Sequence, residues 1–426
     1  MRDVIVVGGG LAGLTAAREL RHDGLDVLVL EARERLGGRA WTIEAAGHTL
    51  ELGGAYVTWH QPHVWAGLTR YGLGVTPSRT PARAAWVVEG ERREDSYGEF
   101  DERLAAAVDA LCADARSWFP TPYDIPGAEA VRLDSRSVRQ CIDASGGDAE
   151  TCMLNEVAWG VVCQAMCSEV SAASAFVWYA LSGYDAQLMK DCTYTYVVTG
   201  GIGRLVEAIA SDGSPEIRLG APVARLEHTA SDVTAVLRNR EVLRARAAVV
   251  ATPVNTWSAI DFDPPLSDGK RELAARGHAG HGVKVMIRVR GRHDLNVALP
   301  ETYPLNWLQP DFLDEDETIF LGFGSDGNAL TPGDDATVMA ALDSAIPGLE
   351  VLQVIGHDWE HDEFSQGTWS MYRPGELTGL VPAGREAEGR IAFAGADLAR
   401  GWLSLIDGAI ETGLTAAITT RRVLDW

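Results

Sequence analysis

Residues 4–20 read VIVVGGGLAGLTAAREL: four apolar residues, a glycine turn, then an alanine-rich stretch with apolar side chains at helical spacing. Gly8, Gly10 and Gly13 stand in GxGxxG order, and each has a mechanical task. Gly8 permits the tight turn, Gly10 lets backbone approach a pyrophosphate, and Gly13 lets the helix pack closely on the strand while its N-terminus faces phosphates. Glycine turns alone are common, but here strand and helix flank the turn in the required order. The next apolar run, LDVLVLE (25–31), ends on Glu31, 18 residues after Gly13, close to the ~20 expected of a carboxylate that accepts from a ribose diol. Such a carboxylate repels a 2′-phosphate. The unit therefore predicts an adenine dinucleotide without that phosphate, and leaves NAD and FAD both open.

Outward from this unit the chain changes character several times. Residues 1–75 read as strand, glycine turn, helix and strand, followed by a second glycine-rich turn. Residues 76–192 contain DERLAAAVDALCADARSWF and TCMLNEVAWGVVCQAMCSEVSAASAFVWYALSGY, and are predicted to be mainly helical. Short strands and a glycine turn return over 193–260, further strands and a helix fill 261–365, and 366–426 closes with strand, glycine turn and long helix. The pattern predicts an α/β protein with a mainly helical insertion between its α/β pieces. No fixed-period repeat or low-complexity tract interrupts it.

The 60 acidic and 37 basic residues give a net charge of -23 over 426 residues. That field repels nucleic acid and anionic lipid and draws in cations. No signal peptide and no apolar run long enough to span a membrane is visible, so a cytoplasmic location is expected. The six cysteines fall between 112 and 192. Cys163 and Cys167 stand four apart on a predicted helix, but without a second ligand pair they read as buried thiols rather than a zinc site, and no metal is expected.

The run EARERLGGRAWT, with Gly37, Gly38 and Arg39 after the strand-end acid, resembles the flavin-containing amine oxidase (monoamine oxidase) family. LELGGAYV, VVTGGIGRL, GAPVARLE, VVATPVNTW and GRIAFAGADLARGWLSLIDGAIETG resemble the same family in the same order, from residue 4 to about 418. Within it, the surroundings VATPVNTW, GHAGHGVK and HDW are similar to those of bacterial 6-hydroxy-L-nicotine oxidases. The resemblance implies two domains: a Rossmann-type FAD-binding domain (1–75, 193–260 and 366–426) and a substrate domain of mixed sheet (261–365) with a helical insertion (76–192). It implies FAD held by Gly8, Gly10, Leu11, Ala12, Gly13, Glu31, Ala32, Arg33, Gly38, Arg39, Gly54, Ala55, Tyr56, Val223, Asp397 and Ile406. It further implies oxidation of a small amine to an imine by hydride transfer to flavin N5, reoxidation by O2 to give hydrogen peroxide or by another acceptor, and a homodimer.

GHGVKVMIRVRG (280–291) shows what the resemblance adds. By alternation alone, Lys284 shares a solvated face with Met286, Arg288 and Arg290. In the family the matching lysine holds a water beside flavin N5, which makes Lys284 a candidate catalytic residue. Trp369 in FSQGTWSMYRPG (364–375) matches an aromatic that stands against the flavin face and can pack an amine. Two departures are informative. Thr368 stands where some members have a flavin-linking cysteine, so the FAD should be non-covalent. Leu405 replaces the second aromatic of the usual pair, which leaves Trp402 or Tyr56 to complete the substrate wall. His60 and His63 are candidates for the site entrance, against a structural reading. His357 and His361 lie among four carboxylates without a metal-site pattern. L-amino-acid oxidases usually carry an arginine after the glycine pair, where this chain has Ala55, Tyr56 and Val57; Arg79 or Arg83 would have to serve instead. A dehydrogenase or desaturase acting on carbon–carbon bonds, and a non-catalytic flavoprotein, are the remaining alternatives.

Overall fold

A computed structural model describes residues 1–123 and 127–425. Strand Arg2–Val7 lies between Val27–Leu30 and Val242–Val250 in a parallel arrangement. Glu216–Arg218 extends the parallel set on one side, and Ile391–Phe393 runs parallel beside the end of Val242–Val250. An antiparallel pair, Val223–His228 and Val233–Leu237, continues the sheet to the short edge strand Asp261–Asp263. The parallel strands are buried on both faces, which is why Val27–Leu30 is wholly apolar. Alternate residues serve different cores: Val4 and Val6 meet Ala12, Ala16, Ala416 and Ala417, whereas Ile5 and Val7 face the other side. Helix Leu11–His22 thus packs against the terminal helix Ile406–Leu424 over small side chains.

A second sheet of seven strands runs in the order 351–356, 283–290, 317–324, 307–313, 295–298, 83–88, 91–96. All neighbours are antiparallel except Leu295–Ala298 with Arg83–Val88. The stretch 76–192 therefore opens with two strands before its helices. Glu91–Ser96 (ERREDS) is exposed at every position, and its charge gave no apolar alternation to read. Such a charged edge also discourages pairing with other chains. Helices Tyr97–Leu111, Ala149–Cys163 and Ala172–Leu181 follow. Strand Asp261–Asp263 joins the first sheet, one residue past the expected boundary at 260. All six cysteines are free thiols, and Cys163 and Cys167 are buried. Among the described residues no helix is long and apolar enough to cross a membrane.

The glycine turn is as tight as the spacing requires. A Cβ on Gly13 would press into the Gly8 carbonyl oxygen and lie 3.1 Å from the Val6 side chain. Gly13→Ala should cost about 1–3 kcal/mol of stability through this overpacking, read as a lower melting temperature and loss of flavin on purification. An alanine variant with wild-type melting and full flavin content would show the turn to be looser than described.

Candidate active site

One cleft, with about 1780 Å³ of empty space counted to its open mouth, runs from the first sheet to the second. At the first sheet it is walled by Gly8, Gly10, Leu11, Ala12, Glu31, Ala32 and Arg33, with Val223 from the antiparallel pair. Midway it passes Gly38, Arg39, Gly54, Ala55 and Tyr56. Leu405 and Ile406, at the start of the terminal helix, and Thr368 and Trp369 complete that section. At the far end the walls are Val161, Trp178, Cys192, Thr193, Tyr194 and Phe323.

The near end fits an adenine dinucleotide. Helix Leu11–His22 begins at Gly10 with no side-chain cap, so its first N–H groups are left for a ligand in the cleft that Leu11 and Ala12 line. A Cβ on Gly8 would sit 2.8 Å from the Ala251 carbonyl oxygen, whereas one on Gly10 meets nothing closer than 3.9 Å, leaving that backbone open to the cleft. Glu31 is buried and accepts hydrogen bonds from the N–H of Gly9 (2.6 Å) and of Arg33 (2.8 Å). A carboxylate has about four lone-pair sites, so acceptor capacity remains for a ribose diol. Thr252 lines the cleft with a buried hydroxyl that lacks a protein partner.

Three expected cofactor and substrate residues lie behind the wall. Gly13 serves helix packing. Asp397 is buried and fully engaged: it takes hydrogen bonds from Arg39 and Ser370 and, at 2.8 Å, from the Val254 N–H. Burial alone would raise its carboxyl, but the Arg39 charge, helped by His278 and the Ser370 hydroxyl, brings it down to about 2. Arg39 in turn donates to the Thr368 carbonyl at 2.9 Å, so the pair fixes the segment that presents Trp369. Trp402 is fully buried, with its indole N–H on the His60 carbonyl at 3.1 Å. It is packed into the core and does not supply the missing aromatic wall.

Tyr56 does line the cleft, and beside it stands an aromatic that carries no motif of its own. A π-helical turn, Asp191–Thr195, carries Cys192, Thr193 and Tyr194 into the cleft. Tyr194 stacks on Trp307 (centroids 6.0 Å, 18°) and meets Tyr56 edge-on at 6.1 Å. Extra-residue turns of this kind are common at functional sites, but DCTYT carries no sequence mark of one.

Lys284 is not on a solvated face. The first five residues of strand Val283–Arg290 are buried on both sides, and only Arg288 and Arg290 emerge. The Lys284 ammonium donates to the carbonyl of Gly53, a lining residue, at 2.9 Å, one peptide behind the cleft surface. Burial pushes it down to about 8, against the pull of Glu51 and Asp311. Three of the four histidine candidates, His63, His357 and His361, are engaged by carboxylates. His63 pairs with Asp407 at 3.0 Å, and Asp407 also accepts the N–H groups of His63 and Val64 at the start of helix Pro62–Tyr71. His357 pairs with Asp362 (2.8 Å) and His361 with Asp358 (2.9 Å). Arg79 is held by Asp294 and Arg83 by Glu94, and neither lines the cleft.

A cleft that opens on a glycine turn at an uncapped helix start and ends in an aromatic chamber beside a buried lysine is that of a dinucleotide-binding protein with a second, apolar compartment. The chain belongs to the flavin containing amine oxidoreductase family, whose profile matches residues 11–419. It is 35% identical to a pseudooxynicotine dehydrogenase of Pseudomonas sp over 96% of this chain and 84% of the relative. It is 30% identical to an (S)-6-hydroxynicotine oxidase of Paenarthrobacter nicotinovorans over 97% of each. Among solved structures, cyclohexylamine oxidase from Brevibacterium oxydans IH-35A superposes with a TM-score of 0.81 at 26% identity over the whole of both chains. Putrescine oxidase with bound putrescine gives 0.81 at 25% over 98% of each. The protein is an FAD-dependent enzyme that oxidises amines.

His278, fully buried behind the Trp369 segment, gives this region a pH signature. Burial, countered mainly by Asp397, drives its imidazole down to about 3, so it stays neutral when folded. The unfolded chain takes up this proton below about 6.5 and the folded chain does not. The stability tied to neutral His278 is therefore complete above that value and declines as pH falls towards 3. In His278→Gln, the fall in melting temperature between pH 6 and 4 should be shallower by about one proton's worth; a slope equal to wild type would remove His278 as the cause.

Proposed function

We propose that the enzyme oxidises a small secondary or alkaloid-like amine to its imine, with non-covalently held FAD and O2 as the oxidant that completes the cycle, giving hydrogen peroxide. The observation that carries this reading is the far chamber. Its walls are Trp369, Tyr56, Tyr194, Trp178 and Phe323, and every arginine lining the cleft is already paired: Arg33 with Asp362, Arg39 with Asp397, Arg238 with Glu363. Among the described residues no lining arginine is free to clamp an α-carboxylate, which counts against an amino-acid substrate. Bound in the cleft, FAD supplies a two-electron acceptor for the hydride on the carbon beside the amine nitrogen. Aromatic faces attract the approaching ammonium and pack its carbon skeleton, while the apolar chamber penalises a retained charge and so favours the neutral amine. Thr368, with no thiol, supports a non-covalent cofactor. The names of the pseudooxynicotine and 6-hydroxynicotine relatives support a nitrogen-heterocycle substrate.

Lys284 is assigned the task of holding a proton, or a water, at the Gly53–Gly54 floor. A step that needs its ammonium is available below about pH 8 and fades above it. Lys284→Met should keep FAD yet slow flavin reduction or reoxidation, and should abolish that alkaline limb. Unchanged rates in both half-reactions would leave the lysine without a chemical role. The substrate class is tested by mixing the oxidised enzyme anaerobically with nicotine-like alkaloids, simple amines and α-amino acids while following flavin absorbance. Oxygen is then admitted and peroxide assayed. Bleaching by amino acids but not by amines would overturn the substrate class, and reduced flavin that persists in oxygen would overturn the oxidant. Tyr194→Ala should weaken amine binding about tenfold with FAD content unchanged.

A further inference from the structure

The guanidinium carbons of Arg33 and Arg238 each stand over the Phe364 ring, 5.4 Å from its centroid. Both arginines and Phe364 line the cleft at its near end, beside Glu31 and Val223. The segment carrying Phe364 is tied down twice. On the inner side Arg33 bonds Asp362 at 2.5 Å and Ser365 at 2.7 Å, in a pair whose side chains are only 13% and 11% exposed. On the outer side Arg238 meets Glu363 at 2.5 Å, but these side chains are 43% and 57% exposed. Arg238 sits in the turn after strand Val233–Leu237, so the outer tie joins two loops rather than two packed elements. Arg33 also donates its backbone N–H to Glu31, which couples the ribose carboxylate to the same segment.

We propose that Asp362–Ser365 is a clasp for the adenosine half of FAD, in which Phe364, held by cation–π contacts with Arg33 and Arg238, closes the outer end of the cleft and the Arg238–Glu363 pair is its release point. The two ties differ in kind. The inner pair is shielded from water and keeps the segment attached. The outer pair is solvated and screened by salt, so it opens without disturbing either sheet. Phe364 loses its cation–π contact with Arg238 when that happens, and the adenosine end is uncovered. This concerns retention of the cofactor and stands whichever amine is oxidised.

The test uses the purified holoenzyme, diluted, with released flavin separated by filtration and quantified by fluorescence at low and high salt. Wild type should release FAD faster at high salt. Glu363→Gln should release it at low salt as fast as wild type does at high salt, and lose most of the salt dependence. Phe364→Ala should release FAD about tenfold faster than wild type at low salt, and Phe364→Tyr should restore retention. Should Phe364→Ala fail to fold, Glu363→Gln decides alone, because that side chain is exposed. Release from Glu363→Gln that matches wild type at both salt concentrations overturns the proposal.

Discussion

The buried pair of Arg39 and Asp397 is the contact on which the site depends. Asp397 is enclosed and cannot shed its charge cheaply, so it gathers Arg39, Ser370 and the Val254 N–H around itself. Arg39 then reaches the Thr368 carbonyl. Four stretches of chain, remote in sequence, meet at one carboxylate: the loop after the second strand, the turn after Val242–Val250, the Trp369 segment and the turn before the terminal helix. A buried ion pair of this kind adds little to net stability, but losing either partner strands the other charge. Its value here is positional: it fixes where Trp369 stands relative to the glycine turn.

Much of this was legible in the sequence, for identifiable reasons. The glycine turn, Glu31 and the parallel strands follow from local rules, since a phosphate-binding turn needs those residues at that spacing wherever it occurs. Arg39, Gly54, Trp369 and Leu405 were placed by family likeness, and the structure brings all four to one cleft. Long-range packing was not legible. Lys284 alternates with apolar residues as a surface residue would, yet this end of its strand is buried on both faces. Trp402 lies three positions from Leu405 and is nonetheless turned into the core. Tyr194 reaches the cleft through a π-turn that no residue pattern announces, and Arg238 and Phe364 line it from exposed loops.

The electrostatics of the two ends differ, and the chemistry follows that division. The near end is built from main-chain N–H groups, Glu31 and paired arginines, which suit phosphates and a sugar. The far end is aromatic, with the buried cation Lys284 held behind a glycine peptide. A protein of charge -23 attracts ammonium ions from a distance, while the chamber accepts them best once neutral. Capture and reaction are thereby assigned to different protonation states of the same molecule.

The cleft is also distributed along the chain. Its glycine turn lies at residues 8–13, whereas Asp397, Leu405 and the helix that packs on Leu11–His22 lie between 397 and 424. The opening strand and turn can form locally, but Arg39 has no counter-charge and Trp369 no fixed station until the segment around residue 397 docks. The phosphate-binding fingerprint is thus necessary to a flavin site without being sufficient: a fragment lacking residue 397 would carry the glycine turn and yet have no tie to seat Trp369.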